Sequence, residues 1–230
     1  MSAVATAVLE GRGLYHIYRE REVETVALRG ADIQLTPGRW TSLMGPSGSG
    51  KSTLVHILGG LLEPAGGSVM VGNQDITRLS SEDRARLRRD LVSIVLQRDN
   101  LHPLLDVAGN VALAMRLDGR PRGEIDARVR ELLTRFGLEG QSRQRATTLS
   151  GGEAQRVAIA AAIAVRPPVL LADELTGELD PGSTEAVLDL LAETCRSENT
   201  AILTVTHNPL VAARADEHLI MRDGEVHRER

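Results

Sequence analysis

Hydrophobic residues form four short runs along the chain, separated by longer stretches of mixed character. The runs read WTSLMG, VSIVLQ, PVLLAD and AILTVT, at residues 40–45, 92–97, 168–173 and 201–206. Short apolar runs rich in Val, Leu and Ile, alternating with helical patterns, are typical of strands buried on both faces of a sheet. The pattern therefore predicts an α/β fold with a mostly parallel sheet.

Helices are expected between these strands. Residues 53–61 follow the first run, and residues 183–197 separate the last two runs with apolar positions at near-helical spacing. Near the end of the chain, MRDGEV (residues 221–226) contains the Asp-Gly pair that favours a tight hairpin turn.

The segment at about 98–148 has a different pattern, without strand-like runs. Residues 124–137 carry five apolar side chains at helical spacing and end at a glycine suited to a helix C-terminus: Ile125, Val129, Leu132, Leu133, Phe136 and Gly137. We expect a single domain over residues 1–230, in which this segment forms a helical lobe inserted into the α/β core.

Composition argues against several classes of protein. The net charge is only −4 with both signs mixed along the chain, and four aromatic residues are too few for a base-stacking platform, so no nucleic acid partner is expected. The single cysteine, Cys195, cannot form an internal disulfide, which favours a reducing compartment. The N-terminal stretch lacks the basic region of an export signal, and the longest apolar run, residues 157–165, is about half the ~20 residues of a membrane helix.

A glycine-rich loop follows the first predicted strand. GPSGSGKST, residues 45–53, fits the pattern G-x-x-x-x-G-K-[ST] between a strand and a helix, where backbone amides and the helix N-terminus attract phosphate. Lys51 is expected to reach the terminal phosphates, and the Ser52 hydroxyl to bind Mg²⁺. The residues expected to contact the nucleotide are Gly45, Pro46, Ser47, Gly48, Ser49, Gly50, Lys51, Ser52 and Thr53.

Two acidic residues stand at the end of the third run. Asp173 is placed to hold Mg²⁺, and Glu174 lies one residue further toward the γ-phosphate, where a carboxylate can orient the attacking water. The carboxyl ends of parallel strands are where α/β sheets bind their ligands. We therefore expect Glu174 and Lys51 to be catalytic.

A second glycine-rich turn, LSGGE at residues 149–153, precedes an alanine-rich helical pattern. Together with the phosphate loop and the DE pair, it resembles the signature motif of the ATP-binding subunits of ABC transporters. The resemblance implies a P-loop NTPase core with an N-terminal antiparallel β subdomain and an inserted helical lobe. It also implies that Ser150, Gly151 and Gly152 close on ATP held by a second subunit, so that two head-to-tail copies enclose two ATP molecules.

The resemblance assigns further roles. Gln97 is similar to the glutamine that contacts Mg²⁺ and the attacking water, His207 to the catalytic histidine that hydrogen-bonds the γ-phosphate, and Asp180, at the end of GELD, to the loop between subunits. Tyr18 lies where the family stacks an aromatic ring on adenine, with Tyr15 as the alternative. The implied metal ligands are Ser52, Gln97 and Asp173.

Within the family, the motifs look most like those of the lipoprotein-releasing and macrolide-export group, and cell-division and peptide-resistance ATPases share much of the pattern. The implied partners are a second ATPase subunit and transmembrane permease subunits, which would hold the chain at the cytoplasmic side of the inner membrane. Three residues depart from the usual pattern: Leu175 replaces a proline, Glu153 a glutamine and Ala161 an arginine.

Three other functions share parts of this sequence pattern. A soluble ABC-type ATPase acting on DNA or ribosomes usually has a long coiled-coil insertion or two cassettes, and neither pattern is present here. A P-loop kinase would leave LSGGE without a role. Cell-division signalling through a membrane partner stays open as an alternative.

Overall fold

The computed structural model describes residues 7–20, 23–98, 100–177 and 179–229. The start of the N-terminal stretch, Asp99 in the proposed lobe and Glu178 of GELD lie outside these residues. The strands are β1 (Leu9–Glu20), β2 (Val23–Leu35), β3 (Trp40–Met44), β4 (Gly66–Val71), β5 (Gln74–Asp75), β6 (Val92–Val95), β7 (Val169–Asp173), β8 (Ala201–Val205), β9 (Glu217–Arg222) and β10 (Glu225–Arg228). The helices are α1 (Lys51–Leu58), α2 (Ser81–Leu91), α3 (Val107–Leu117), α4 (Arg122–Arg135), α5 (Gly151–Ala164), α6 (Pro181–Ser197) and α7 (Pro209–Ala212).

Six strands form the central sheet in the order β10-β9-β3-β8-β7-β6. All neighbours pair in parallel except β9 and β10, which form the hairpin expected around Asp223-Gly224. Both turn residues have positive φ, +48° and +83°, as a tight hairpin turn requires. The four predicted strands and the α/β class are thereby confirmed, and every residue of β7 and β8 is buried.

A second, antiparallel sheet has the order β2-β1-β4-β5 and confirms the antiparallel subdomain near the N-terminus. Its apolar face packs on α1 and the central sheet through one buried cluster, which includes Leu14, Leu28, Leu54 and Leu203. This packing brings β2 beside the loop that precedes α1.

Two predicted helices are shifted at their ends. The helix expected at 53–61 begins at Lys51 and ends at Leu58, because Gly60 takes a φ of +64° and breaks the helical conformation. The helix expected at 183–197 begins at Pro181, since the Asp180 side chain accepts from Ser183 N–H and caps it.

The segment at 98–148 contains α3, α4 and two short 3₁₀ turns; a lone bridge between Asp106 and Arg145 is its strand-like feature among the described residues. The helix predicted at 124–137 is α4, which begins two residues earlier, and Gly137 follows it with a φ of +63°. Leu132 of α4, Val157 of α5 and Leu170 of β7 belong to one buried cluster, so the segment packs directly on the core. Its status as an inserted subdomain stays a prediction.

Candidate functional site

The glycine-rich loop connects β3 to α1 at the carboxyl edge of the central sheet. Gly50 has a φ of +103°, and a Cβ there would lie 2.3 Å from the Ala27 carbonyl oxygen of β2. At Gly45, a Cβ would lie 2.2 Å from the carbonyl oxygen of Met221. Side chains are thus excluded where the loop passes closest to its neighbours, which explains why glycine occupies both positions.

Lys51 is held inside the curve of its own loop. Its ammonium group donates to the carbonyl oxygens of Gly45, at 2.9 Å, and Pro46, at 2.8 Å. The charge therefore lies at the N-terminal end of α1, where the helix dipole also attracts anions.

The loop forms the floor of a cleft of about 550 Å³. Twelve of the residues singled out in the sequence line it: Tyr18, Gly45, Ser47, Gly48, Gly50, Lys51, Ser52, Thr53, Gln97, Asp173, Glu174 and His207. Segments far apart in sequence, from β1 to the end of β8, thus meet at one edge of the sheet.

Two residues of the loop do not line the cleft. Ser49 is buried, and its hydroxyl has no hydrogen-bond partner among the described residues. Its backbone carbonyl accepts from Gly224 N–H at 3.2 Å, which ties the loop to the β9–β10 hairpin. Pro46 contributes its carbonyl oxygen to Lys51. The contact of these two residues with the nucleotide stays a prediction.

Asp173 and Glu174 extend from the buried strand β7 into the cleft. Asp173 is 5% exposed, and Glu174 has a φ of +55°, the left-handed conformation that non-glycine residues adopt at a cost of about 1–2 kcal/mol. The Glu174 N–H donates to the Val205 carbonyl oxygen at 2.9 Å and so fixes this turn on β8. Strain of this kind is typical of functional positions.

His207 follows β8 and faces Glu174. Its Nδ1 lies 2.9 Å from the Glu174 carboxylate, whose side chain is 19% exposed, whereas that of His207 is 79% exposed. An ionised carboxylate only accepts hydrogen bonds, so Nδ1 is the donor. The pair gives the cleft an oriented carboxylate at a water-accessible edge.

Leu175 stands where ABC transporter ATPases usually have a proline, and its packing holds the turn in place of that residue. Its side chain is 1% exposed and belongs to the buried cluster shared by α4, α5 and β7. Apolar packing therefore anchors the turn directly after Glu174.

Tyr18 rather than Tyr15 reaches the cleft. Its hydroxyl lies 3.3 Å from Thr53 Oγ1, and its ring contacts His16 edge-on with centroids 4.8 Å apart. The ring is 41% exposed, which leaves a face available for stacking.

Thr25, Val26 and Ala27 of β2 also line the cleft and were not identified from the sequence. They lie in an ordinary strand with no motif. Only the packing of the antiparallel sheet on the loop brings them there, so no local signal could have found them.

The second glycine-rich turn does not line this cleft. Ser150, Gly152 and Asp180 are absent from the cleft's lining, and Gly151 lines a separate cleft of about 330 Å³ together with Gln97. Gln97, which is exposed after β6, lies on both clefts and connects them.

Ser150 caps α5 in a reciprocal arrangement with Glu153. The Glu153 carboxylate accepts from the Ser150 backbone N–H at 2.9 Å and from its hydroxyl at 2.8 Å, and Gln141 donates to it at 3.2 Å. These hydrogen bonds, led by that from the Ser150 backbone, hold the pKa of Glu153 below its ordinary value. Glu153, which stands where the family commonly has glutamine, thus places a negative charge at the start of α5.

The lining of the larger cleft suits Mg²⁺ together with phosphate oxygens. Ser52, Gln97 and Asp173 supply a hydroxyl, an amide and one carboxylate, and Mg²⁺ is usually held by few carboxylates plus substrate phosphates. A cluster of three or more His, Cys, Asp or Glu side chains suited to a metal does not occur among the described residues.

Comparison with known proteins shows which family and which relatives the chain resembles. Residues 28–177 match the family model described as ABC transporter. The chain is 41% identical over 223 residues to the lipoprotein-releasing system ATP-binding protein LolD 2 of Caulobacter vibrioides, which covers 97% of this chain and 98% of the relative. It is 42% identical over 216 residues to the methionine import ATP-binding protein MetN of Xanthomonas oryzae pv. oryzae, covering 94% of this chain and 64% of the relative.

Solved structures agree with this match. The chain superposes on the dimeric structure of MJ0796, a bacterial ABC transporter cassette, with a TM-score of 0.92, 35% identity and coverage of 96% and 97% of the two chains. A dimeric post-hydrolysis state of the same cassette, bound to ADP and Pi, gives a TM-score of 0.91 at 34% identity. In the part of the chain that the structure describes, no helix has both the length and the apolarity needed to cross a membrane.

Proposed function

The chain belongs to the ABC transporter family as an ATP-binding, ATP-hydrolysing subunit, and from this premise we propose that two copies close head-to-tail around two MgATP to drive a conformational change in membrane partner subunits. The observation that carries the proposal is the separation of the two glycine-rich turns onto different clefts. A turn that does not line the nucleotide cleft of its own copy is available to the nucleotide of a second copy.

In each copy, the loop at residues 45–53 cradles the phosphates. Lys51 exchanges its contacts with Gly45 and Pro46 for phosphate oxygens, and the amides at the start of α1 add their dipoles. Tyr18 stacks on adenine at the open end of the cleft. These groups are in place before the nucleotide arrives, which limits the reorganisation that binding requires.

Ser52, Asp173 and Gln97 would hold Mg²⁺ between the loop and the end of β7. Bound there, Mg²⁺ would neutralise charge that develops on the β- and γ-phosphates. Gln97 would couple this position to the second cleft, because it lies on both.

Glu174 is the group that orients the attacking water. The water oxygen forms a bond to the γ-phosphorus as the bond to the β,γ-bridging oxygen breaks, and the water proton passes toward the carboxylate. The Nδ1 hydrogen bond from His207 holds that carboxylate in position, while the exposed part of the ring remains available to the γ-phosphate.

Ser150, Gly151 and Gly152 complete the site of the opposite copy. The amides at the start of α5 and the Ser150 hydroxyl donate to the γ-phosphate across the interface, and Asp180 lies in the neighbouring contact between subunits. The two sites are then equivalent by two-fold symmetry.

The membrane partners are permease subunits, and the work done is export or extraction of a substrate such as a lipoprotein, peptide or drug. Support comes from the likeness to a lipoprotein-releasing ATPase over nearly the whole of both chains. The chain would then act at the cytoplasmic side of the inner membrane, held there by the permeases.

Import is the second candidate, and the likeness to MetN favours it. Export and import are distinguished by reconstituting the chain with its permease partner in vesicles and measuring substrate movement in both directions.

The head-to-tail arrangement is tested with Glu174→Gln, which should bind ATP without turnover. Light scattering should show a monomer without nucleotide and a dimer with MgATP, and Ser150→Arg in the same background should abolish the dimer. Ser197→Arg, at an exposed serine that lines neither cleft, is the matched control and should leave the dimer intact. A dimer that survives Ser150→Arg would rule out the proposed role of the signature turn.

A further inference from the structure

A buried histidine lies beside the tyrosine that reaches the nucleotide cleft. Along β1, Leu14 and His16 are buried while Tyr15 between them is 37% exposed, so successive side chains alternate between the sheet interior and solvent. His16 is 9% exposed, and its Nδ1 atom is buried without a hydrogen-bond partner among the described residues. None of the steps of ATP binding and hydrolysis proposed above involves this side chain.

The stability of the core does not explain a histidine at this position. A buried polar atom without a hydrogen-bond partner costs free energy on folding, because the atom loses its contact with water. An apolar side chain, such as that of Leu14 on the same face of β1, fills the sheet interior without that cost. The choice of histidine therefore indicates a role for its ring.

The ring of His16 contacts the ring of Tyr18. The two ring centroids are 4.8 Å apart, and the ring planes are inclined by 75°. Aromatic pairs favour this edge-to-face arrangement at centroid distances of about 4.5–7 Å, which gives the contact a preferred direction that an aliphatic side chain lacks. His16 therefore restricts the orientation of the Tyr18 ring as well as the space around it.

A second contact of Tyr18 is weaker. Its hydroxyl lies 3.3 Å from Thr53 Oγ1 in the first turn of α1, beyond the range of about 2.5–3.0 Å that is usual for hydrogen bonds between two oxygen atoms. Tyr18 is also 41% exposed. A ring held by this long hydrogen bond alone would reorient easily, so the contact with His16 contributes most to its orientation.

The pairing of β1 with β2 is irregular at the same place. The register shifts directly after His16, and the extra residue on β2 is Ala27. Such bulges increase the local twist and redirect neighbouring side chains. The carbonyl oxygen of Ala27 is also the atom that approaches Gly50 of the phosphate loop. The bulge thus brings β2 against the loop at the point where His16 orients the tyrosine.

We propose that His16 is a positioning residue for the adenine base: it holds the ring of Tyr18 in the orientation that stacks on the base before the nucleotide arrives. The proposal rests on the proposed function for the stacking role of Tyr18 and adds the residue that prepares it. A ring that is already oriented loses less conformational entropy on binding, which raises the affinity for a ligand that contains the base. Binding of the phosphates and the chemical step should not depend on His16.

The first experiment compares a ligand that contains the base with one that lacks it. MgADP, the product of the ATPase reaction, and magnesium pyrophosphate are titrated calorimetrically into the unchanged chain, His16→Leu and His16→Phe. Leucine fills the volume without an aromatic ring and should weaken MgADP binding about two- to tenfold, the range expected for one aromatic pair. Phenylalanine keeps an aromatic edge and should restore the affinity to within about twofold. Pyrophosphate should bind all three proteins equally.

These variants distinguish positioning from packing. If His16 only filled the core, leucine would preserve the MgADP affinity, and that result would overturn the proposal. An equal loss of MgADP and pyrophosphate affinity would also overturn it, because the effect would then lie in the phosphate loop. Leu14→Val, on the same buried face and four residues from Tyr18, is the control for altered packing and should leave both affinities unchanged.

A double-mutant cycle tests whether His16 acts through Tyr18. Tyr18→Ala should weaken MgADP binding, and His16→Leu should cause no further loss in that background, whereas independent sites would give additive losses. Additive losses would contradict the proposal. A loss with Tyr18→Ala but not with His16→Leu would contradict the role of His16 alone. An unchanged affinity in Tyr18→Ala would contradict the stacking role in the proposed function and, with it, the role of His16.

Steady-state hydrolysis provides a further readout. His16→Leu should raise KM for ATP and leave kcat unchanged, because binding of the base is weakened while Glu174 and His207, which follow β7 and β8, are unaltered. A fall in kcat with an unchanged KM would overturn the proposal.

Discussion

His207 Nδ1 lies 2.9 Å from the Glu174 carboxylate, although the two residues are 33 positions apart in sequence. They meet because β7 and β8 are parallel neighbours, with Asp173 in register with Val205. The strand pairing therefore orients the carboxylate through a residue that follows the adjacent strand.

Removal of this hydrogen bond should slow hydrolysis more than it weakens binding. We expect His207→Ala to lower kcat by about 10²-fold, because Glu174 loses the donor that orients it. The rate is followed by phosphate release and affinity by a fluorescent ATP analogue. The affinity serves as the control and should change by only a fewfold; an unchanged kcat would mean that the hydrogen bond has no role in turnover.

A methyl group at Gly50 should disrupt the loop itself. In Gly50→Ala, the new Cβ would lie 2.3 Å from the Ala27 carbonyl oxygen at a φ of +103°, so the loop and β2 must separate. ATP affinity should fall by on the order of tenfold or more, and unfolding should require about 2–4 kcal/mol less free energy. Titration with ATP and urea unfolding measure the two effects.

The Gly48→Ala variant distinguishes the effect of backbone strain from the effect of the steric clash expected in Gly50→Ala. Gly48 has a φ of +76°, but a Cβ there meets no atom within 4 Å. The loss of stability should be limited to about 1–2 kcal/mol. Equal losses in the two variants would show that the approach of Ala27 is unimportant.

Glu153 should contribute stability that depends on pH. Its pKa is lowered in the folded chain from an ordinary 4.5, so its contribution is present above that value and is lost as pH falls through the folded pKa. At pH 7, Glu153→Ala should cost about 1 kcal/mol through loss of the cap, and Glu153→Gln less, because its amide oxygen still accepts.

The measurement is urea unfolding of the three proteins at pH 7 and near pH 3.5. The advantage of the unchanged chain over Glu153→Gln should shrink at the lower pH as the carboxylate is protonated. A difference that stays constant between the two pH values would show that the charge of Glu153 contributes nothing to folding.

Leu175 should stabilise the turn that carries Glu174. Leu175→Ala leaves a cavity in the cluster shared by α4, α5 and β7 and should lower the free energy of unfolding by about 2–4 kcal/mol. Leu104→Ala is the control, because that side chain is 78% exposed, and should change stability by less than about 0.5 kcal/mol. Phosphate release by Leu175→Ala should also fall, since Glu174 loses its apolar anchor; full activity would mean that the hydrogen bond to Val205 alone fixes the turn.

The local sequence pattern was sufficient to predict the buried strands, the glycine-rich loop and the hairpin. The apolar runs at 40–45, 92–97, 168–173 and 201–206 identify buried strands because the alternatives would expose them to water. The loop at residues 45–53 is recognisable because phosphate binding needs glycines and a lysine at short, fixed spacing. The hairpin at Asp223-Gly224 follows from the φ values that such a turn requires.

Helix ends were less determined by the sequence. Lys51 begins α1 two residues before the expected start, because Gly50 as a cap makes no side-chain hydrogen bond that would mark the boundary. The start of α6 is marked by the Asp180 side chain, which caps the helix, and by Pro181, whose φ is fixed near the helical value. The spacing of apolar residues alone does not reveal this boundary.

By itself, the sequence determined that the residues predicted to carry phosphate-binding and acid-base chemistry follow buried strands. Tertiary structure alone decided which of them share a cleft: it joined Gln97 and His207 to the loop, and placed Gly151 on a separate cleft. The physical reason is that the order β10-β9-β3-β8-β7-β6 depends on pairing between distant segments, whose free energy is set by the packing of the whole core. The conformation of Glu174 likewise depends on its hydrogen bond to β8 and on burial of Leu175, two contacts that no local pattern encodes.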